Sequence, residues 1–336
     1  MRIGVIGYRN HALRLLKLMD GFDFEKRFVI YYPKLGTLET EFSRDEIKSK
    51  YLLSSEFKDI CETDVIVVAS PTDTHYEYLD QLSEVYEGYI FCEKPPCGTA
   101  SELNRLSQLS HELKTRIFFN FCYRYSAFAV ACKTIVNSGD YGIPVALSFR
   151  SGHGLAFKED YKSNWRNISQ NPMNNIIGNV GIHYIDLTDH ILGDSTALNC
   201  STARVSGATR YQDSVHISIE RNNGLPSTVF LSYACPLDDF SQLILSDGIV
   251  ELHKNSLTIQ GPRDCFDSDG LFKAPPVKRQ ISFVNSRAYY DDAIVNAFKE
   301  FFSGVRASEP FPVSQFESAI VSTEKVLSLQ RGLVGN

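Results

Sequence analysis

Arg2-Ile3-Gly4-Val5-Ile6-Gly7-Tyr8-Arg9-Asn10-His11-Ala12 is the stretch on which the fold turns. Residues 3–6 form a short apolar run that stops at a glycine, and residues 13–19 then show helical apolar spacing. The segment therefore reads as strand, tight turn, helix. A dinucleotide fingerprint asks for G-x-G-x-x-G/A at such a turn. Gly7 and Ala12 take the first and third places, but Arg9 stands in the second, where a missing side chain normally lets the backbone approach a pyrophosphate. A purely structural turn would also carry Gly7, so the turn alone leaves both readings open. A helix N-terminus at this point could still offer its amides and positive dipole end to a phosphate. That makes Gly7, Tyr8, Arg9, Asn10 and His11 candidate cofactor contacts.

Working outward, residues 28–31, 65–69, 89–92 and 116–120 read as further strands, the second of them a β-branched run bounded by Asp64 and Ser70-Pro71. A helix is expected over 101–113 with Ser101 as its cap. Buried strands alternating with helices predict a doubly wound parallel sheet, a Rossmann domain over residues 1–120. Beyond that point the texture changes. A helix over 128–136 is followed by strand-like runs at 145–149, 215–219, 229–233, 242–245, 249–252 and 257–259, with one helix at 177–192 and a helical close over 291–330 broken at Pro310-Phe311-Pro312. Residues 261–276 are rich in Gly, Pro and Asp and read as a surface loop. The overall fold class is α/β: a Rossmann domain with a doubly wound parallel sheet followed, over 121–336, by an α+β domain on a largely antiparallel sheet.

A chain of 336 residues is comfortable for two cores. Apolar residues make up 43% and charged residues 22%, and the net charge of -6 comes without a basic patch, which argues against a nucleic-acid partner. No apolar run reaches the roughly 18 residues of a membrane span, and a strand beginning at Arg2 argues against a cleaved signal peptide. Cys61, Cys92, Cys97, Cys122, Cys132, Cys200, Cys235 and Cys265 include no CxxC pair and no zinc spacing, so free thiols in a reducing cytoplasm are expected, with no metal site.

At the end of the second strand, where an acidic residue would hold a ribose 2′-hydroxyl, the chain has Tyr32-Pro33-Lys34. A missing carboxylate and a nearby Lys34 favour a 2′-phosphate, hence NADP over NAD; the bland alternative is a solvated loop lysine.

Four ordered segments carry more. They are Asp64-Val65-Ile66-Val67-Val68-Ala69-Ser70-Pro71-Thr72-Asp73-Thr74-His75; Glu93-Lys94-Pro95; Asn120-Phe121-Cys122-Tyr123-Arg124; and Asn179-Val180-Gly181-Ile182-His183-Tyr184-Ile185-Asp186. Together with residues 304–312 and the helix after them, they resemble the Gfo/Idh/MocA oxidoreductase family along nearly the whole chain. The chain departs from the family pattern at Arg9, at Met173-Asn174-Asn175 where a glycine run is common, and at Asn179 where Asp is common. An N-x-G-x-H segment resembles the branch acting on nucleotide-sugar uronates, the UDP-N-acetylglucosaminuronate-type dehydrogenases. The resemblance implies NAD or NADP, a sugar or sugar-nucleotide substrate held by the C-terminal domain, and a homo-oligomer, dimer or tetramer, formed through the open C-terminal sheet.

The residues themselves suit such chemistry. Asn179, His183 and Asp186 lie at i, i+4 and i+7, one face of a helix. Histidine can exchange a hydroxyl proton near neutral pH as hydride leaves carbon. Lys94, held before Pro95, could point into an interdomain cleft and stabilise developing alkoxide charge. Asn179 could orient a hydroxyl, and Asp186 could fix the imidazole or bind another hydroxyl. Lys94, His183 and Asn179 are thus the catalytic candidates. Each has a bland alternative: a structural helix histidine, a surface Glu93–Lys94 pair, a buried hydrogen-bonding aspartate.

For the cofactor, Ser70, Pro71, Thr72 and His75 sit at one strand end, Glu93 and Lys94 at the next, and Arg124 at the domain crossing, although Ser70 and Thr72 could simply cap a helix. For the substrate, Gly152-His153-Gly154 and Trp165-Arg166 combine a flexible backbone, the chain's single Trp and an Arg that can grip a carboxylate or phosphate. A loop with a core Trp is the alternative there. The leading expectation is a dehydrogenase or reductase acting on CH–OH groups. A relative using bound NAD transiently for elimination or hydrolysis, and a non-catalytic cofactor-binding regulator, stand beside it.

Overall fold

The computed structural model describes residues 1–33, 51–263 and 265–334 and divides into two units, Met1–Phe121 with Ile294–Glu324, and Cys122–Ala293 with Lys325–Asn336. The first unit holds a six-stranded parallel sheet of β1 (Arg2–Ile6), β2 (Arg27–Tyr31), β3 (Tyr51–Ser54), β4 (Val65–Val68), β5 (Tyr89–Glu93) and β6 (Ile117–Asn120), ordered β3-β2-β1-β4-β5-β6. This is the doubly wound dinucleotide order. Its reversal point lies between β1 and β4, where a ligand crevice opens beyond the C-terminal strand ends. Every residue of β4 and β6 is buried, because helices cover both faces of such a sheet and continuous apolar runs are what that environment selects.

The segment Ile294–Glu324 falls with the first unit for a reason visible in its side chains. Phe298 stacks on Phe91 at 4.5 Å, Phe301 meets Phe118 at 5.8 Å, and Phe311 packs on Phe118 and Tyr89. Phe298, Phe301 and Phe316 are wholly buried, each contributing roughly 1.5–3 kcal/mol relative to exposure. Gln315 also answers the outer edge of β6, accepting from the Phe119 amide and donating to the Phe119 carbonyl at 2.9 Å.

The second unit holds an eight-stranded sheet of β7 (Pro144–Gly152), β8 (Ala197–Ala203), β9 (Ser214–Glu220), β10 (Ser227–Ser232), β11 (Asp238–Leu245), β12 (Ile249–His253), β13 (Ser256–Gln260) and β14 (Val277–Ser282), ordered β14-β13-β12-β11-β7-β10-β9-β8. All neighbours are antiparallel except β7 and β10, which run parallel with Ser232 opposite Gly152. The parallel pair brings two C-terminal strand ends to the same edge.

The structure differs from the sequence reading at definite places. Strands β3, β8 and β14 were not anticipated, and each is a sheet edge with a mixed or exposed burial pattern rather than an apolar face. The helix expected over 101–113 is two helices, Ala100–Ser107 and His111–Lys114. The cap is Thr99, not Ser101: Thr99 accepts from the Glu102 amide while Glu102 reaches back to the Thr99 amide, and Ser110 caps the second piece. The helix expected over 177–192 begins with a π-helical turn, Ile177–Gly181, before the α-helix Ile182–Leu192.

Candidate active site

The first unit's candidate site starts at Gly7, whose φ of 112° belongs to glycine and where an added Cβ would stand 2.7 Å from the Ala69 carbonyl oxygen. That contact seats the end of β1 against the end of β4. Asn10 follows at φ 35°, and the helix His11–Asp20 begins. Arg9 leans on Tyr8: its Nε donates to the Tyr8 hydroxyl at 3.3 Å and its guanidinium lies 5.5 Å from the ring, while Tyr8 is buried edge-on against Tyr32. The glycine place of the fingerprint is thus filled by a side chain that folds onto its neighbour. Lys34 lies outside the described residues.

At the end of β4, Thr74 donates to the Ser70 hydroxyl and the Pro71 carbonyl, both at 2.8 Å, in the 3-10 turn Thr72–Thr74. His75 is buried, with Nδ1 2.8 Å from the Pro95 carbonyl and Nε2 2.9 Å from the Ser70 carbonyl. A neutral ring donates to one of these carbonyls and faces the other, so it joins the ends of β4 and β5. Burial pushes its pKa down against the pull of the two carbonyls and Glu93. At the end of β5, the buried Glu93 accepts from Asn120 Nδ2 at 2.7 Å and pairs with His11 Nε2 at 2.9 Å. Burial raises its pKa, but His11, Asn120 and Lys94 outweigh that and hold the carboxyl below its ordinary value. Glu93 is therefore an ionised brace under Lys94, which is half-buried and joined to Pro95 by a cis peptide.

In the second unit, His183 is buried in the first turn of its helix with its ring 4.8 Å from that of Tyr123. Arg124, next in the chain, pairs with Asp186 through Nε at 2.8 Å and through a second contact from Nη2 to Oδ1. The two residues expected to reach cofactor and substrate have each other as partners. Burial disfavours the Arg124 charge, yet Asp186 raises its pKa above the ordinary value. The π-helical turn alters the angular step from Asn179 to His183 that a uniform α-helix would give; such turns recur at functional sites. Its backbone needs Gly178, where a Cβ would stand 2.4 Å from the Met173 Cα. Asn175 receives the Ile177 and Gly178 amides, so this departure from a glycine run has a structural task.

Asn179, His153 and Arg166 converge on a residue the sequence reading passed over, Tyr233. Asn179 Nδ2 donates to its hydroxyl at 3.2 Å, and the His153 ring stacks on it at 5.1 Å. Burial raises the Tyr233 pKa, opposed by the Arg166 charge and by Asn179. Tyr233 directly follows β10 and His153 follows β7, the parallel pair, and the His153 amide donates to the Ser232 carbonyl at 2.9 Å. A signal was present: Val229, Leu231 and Tyr233 alternate inward, all nearly inaccessible. Trp165 is 44% exposed, which rules out a core Trp, and Arg166 lies 4.2 Å over its ring. A surface concavity of about 510 Å³ lined by Phe22, Phe24, Phe302, Lys299 and Arg306, among others, contains none of the candidate residues.

All eight cysteines are free, four of them buried. No helix among the described residues is long and apolar enough to cross a membrane.

Comparison with known proteins agrees with this geometry. Residues 1–121 match the sequence model of the oxidoreductase family with an NAD-binding Rossmann fold, and residues 129–255 match that of the GFO/IDH/MocA C-terminal domain. A D-apiose dehydrogenase of Rhizobium rhizogenes is 25% identical over 215 residues, 61% of this chain and 60% of that protein. A myo-inositol 2-dehydrogenase of Thermotoga maritima is 25% identical over 204 residues, 58% of this chain and 55% of its own length. The match thus spans less than two thirds of these relatives. Among solved structures, a myo-inositol dehydrogenase from Corynebacterium glutamicum superposes with a TM-score of 0.75 at 16% identity, covering 100% of this chain and 97% of that one. A levoglucosan dehydrogenase in complex with NADH and levoglucosan gives 0.76 at 16% identity, covering 99% and 97%. At such identities the likeness speaks for the fold. With both family models matched in order and the ordered motifs in place, the chain belongs to the Gfo/Idh/MocA oxidoreductase family.

Proposed function

We propose that the protein is an NAD(P)-dependent dehydrogenase or reductase that transfers a hydride between the nicotinamide and a hydroxyl-bearing carbon of a sugar, a nucleotide sugar being the narrower form of the same reading. One observation carries it. In a chain of this family, Lys94 directly follows β5 beside an ionised Glu93, and His183 lies in the first turn of the helix that follows a π-helical turn.

The Gly7 turn fits a dinucleotide, since its backbone approach to Ala69 leaves no room for a side chain at the mouth of the strand-order reversal. Gly7 to His11, Ser70, Pro71 and Thr72 are the residues that would hold it. When bound, the nicotinamide supplies the hydride acceptor or donor. In the oxidation direction the His183 imidazole suits taking the hydroxyl proton as the C–H bond gives up its electron pair, and the Lys94 ammonium suits stabilising alkoxide charge. Asn179, already tied to Tyr233, orients a substrate hydroxyl. Arg124 and Asp186 act as a pair, holding the helix that carries His183. NADP is favoured over NAD by Tyr32-Pro33-Lys34, where no carboxylate is present to bind a 2′-hydroxyl. A homo-oligomer through the C-terminal sheet is supported by Phe230, 37% exposed on β10 between the inward-facing Val229 and Leu231. The free thiols suit the cytoplasm.

The test is reduction of added NADP and NAD with a panel of sugars, followed at the nicotinamide absorbance. Net reduction by at least one sugar is expected. Cofactor binding without any turnover would point to a regulator, and substrate consumption without net reduction to a transient-redox enzyme.

A further inference from the structure

The second unit handles its sheltered arginines unevenly. Among its described residues, Arg124, Arg166 and Arg221 are the arginines not classed as exposed. Arg124 pairs with Asp186 and Arg221 with Asp189. Arg166 has no carboxylate within 4 Å among the described residues; its guanidinium lies 4.2 Å over the Trp165 ring and donates to the neutral Tyr233 hydroxyl. A partly desolvated guanidinium without an anion is costly unless something else supplies one.

The site around it is built, not incidental. Asn164 caps the short helix Trp165–Ile168 by accepting from the Arg166 amide at 3.1 Å. Buried Asn167 locks the same helix, accepting from the Arg210 amide at 2.6 Å and donating to the Lys162 carbonyl. The fork is thus carried on a pinned element beside Tyr233, whose hydroxyl receives Asn179, a residue of the π-helical turn just before His183.

The charge count is specific. Tyr233 and Tyr161 are buried and stay protonated, and burial biases His153 toward its neutral form, with Asp239 and Arg166 pulling in opposite directions. Asp239 is itself engaged by the Ser151 hydroxyl at 3.1 Å, and Lys158 is exposed. One sheltered positive charge with planar donors matches a single carboxylate better than a phosphate dianion or a diphosphate.

We infer that Arg166 is the specificity-determining residue of the substrate site and that the substrate is a sugar acid, bound through its carboxylate, with Tyr233 and Trp165 flanking the Arg166 fork. The inference deepens the proposed function and rests on it for the identity of the site, but its test reads binding rather than turnover.

Dissociation constants are measured by calorimetry on the intact protein with NADP present, for uronic and aldonic acids against their matching aldoses and alditols, with sugar phosphates and nucleotide sugars as further arms. At least one acid is expected to bind about tenfold or more tightly than its neutral partner. Arg166→Met removes that ratio, and Arg166→Lys, which keeps the charge but loses the fork, leaves an intermediate one. Thermal melting checks that both variants fold. If no acid outbinds its neutral partner, if sugar phosphates or nucleotide sugars outbind the acids, or if Arg166→Met weakens acid and neutral sugar alike, the inference is wrong. Preferential binding of acids without reduction of either cofactor would keep the inference and remove the dehydrogenase reading, whereas turnover of neutral sugars with no acid preference would do the reverse.

Discussion

The corner at the ends of β4 and β5 and the cluster around Tyr233 both gather polar side chains at strand ends, yet they treat them differently. In the first, the ionisable groups are answered from within the scaffold: His75 lies between two backbone carbonyls, and Glu93 holds His11 and Asn120, with only the Asn120 Oδ1 left buried without a partner there among the described residues. In the second, Asn179, His153 and Arg166 lean on one buried phenol, and Arg166 has the Trp165 ring but no carboxylate beside it among the described residues. A satisfied network fixes geometry; an unanswered charge anticipates a ligand. The first corner positions Lys94, and the second selects what is bound.

The sharpest way to break this contrast is to remove the groups proposed to act on the substrate. Lys94→Ala and His183→Ala are each expected to lower kcat by about 10²–10⁴-fold while the circular dichroism spectrum and melting temperature stay near those of the parent. Full activity in either variant would show that its residue is scaffold. A second experiment asks whether the second unit also has a scaffold of the saturated kind. Asp186→Asn strands Arg124 in a buried place, with an expected loss of roughly 3–5 kcal/mol, read as a lowered melting temperature and urea midpoint. A change within the noise would mean that the pair is not a structural brace.

The smallest effect concerns pH. Burial, with Arg124 and Lys133 nearby, pulls the His190 pKa from its ordinary 6.5 down to about 4. The unfolded chain therefore takes up a proton that the native state refuses between those values, so stability is fullest above pH 6.5, falls on acidification and levels off below about 4. The contribution is on the order of 3 kcal/mol. His190→Gln should flatten that part of the melting-temperature profile. The lowered pKa values of His75 and Glu93 in the first unit, and of His153 and Asp213 in the second, act in the same direction, so the variant keeps a residual slope.

How much of this could be read in advance depends on where a residue's environment is encoded. The central strands of both sheets, and the fully buried edge strand β6, were legible because their burial is local and periodic: continuous in β4 and β6, alternating in β10. The edge strands β3, β8 and β14 were not, since none of these has a full apolar face to advertise itself and its partner strand alone defines it. Thr99 displaced Ser101 as cap because the reciprocal bond with Glu102 outweighs a lone serine.

By itself, then, the sequence determined the doubly wound parallel sheet, the antiparallel sheet after it, and the motif residues Gly7, Lys94 and His183, because each is a matter of short-range spacing and turn chemistry. Tertiary structure alone decided that Arg124 would meet Asp186, 62 residues away, that Asn179 would meet Tyr233, 54 residues away, and that Arg166 would meet the same Tyr233. Charge pairing and desolvation act through space, and no local pattern records which distant group will be brought within reach.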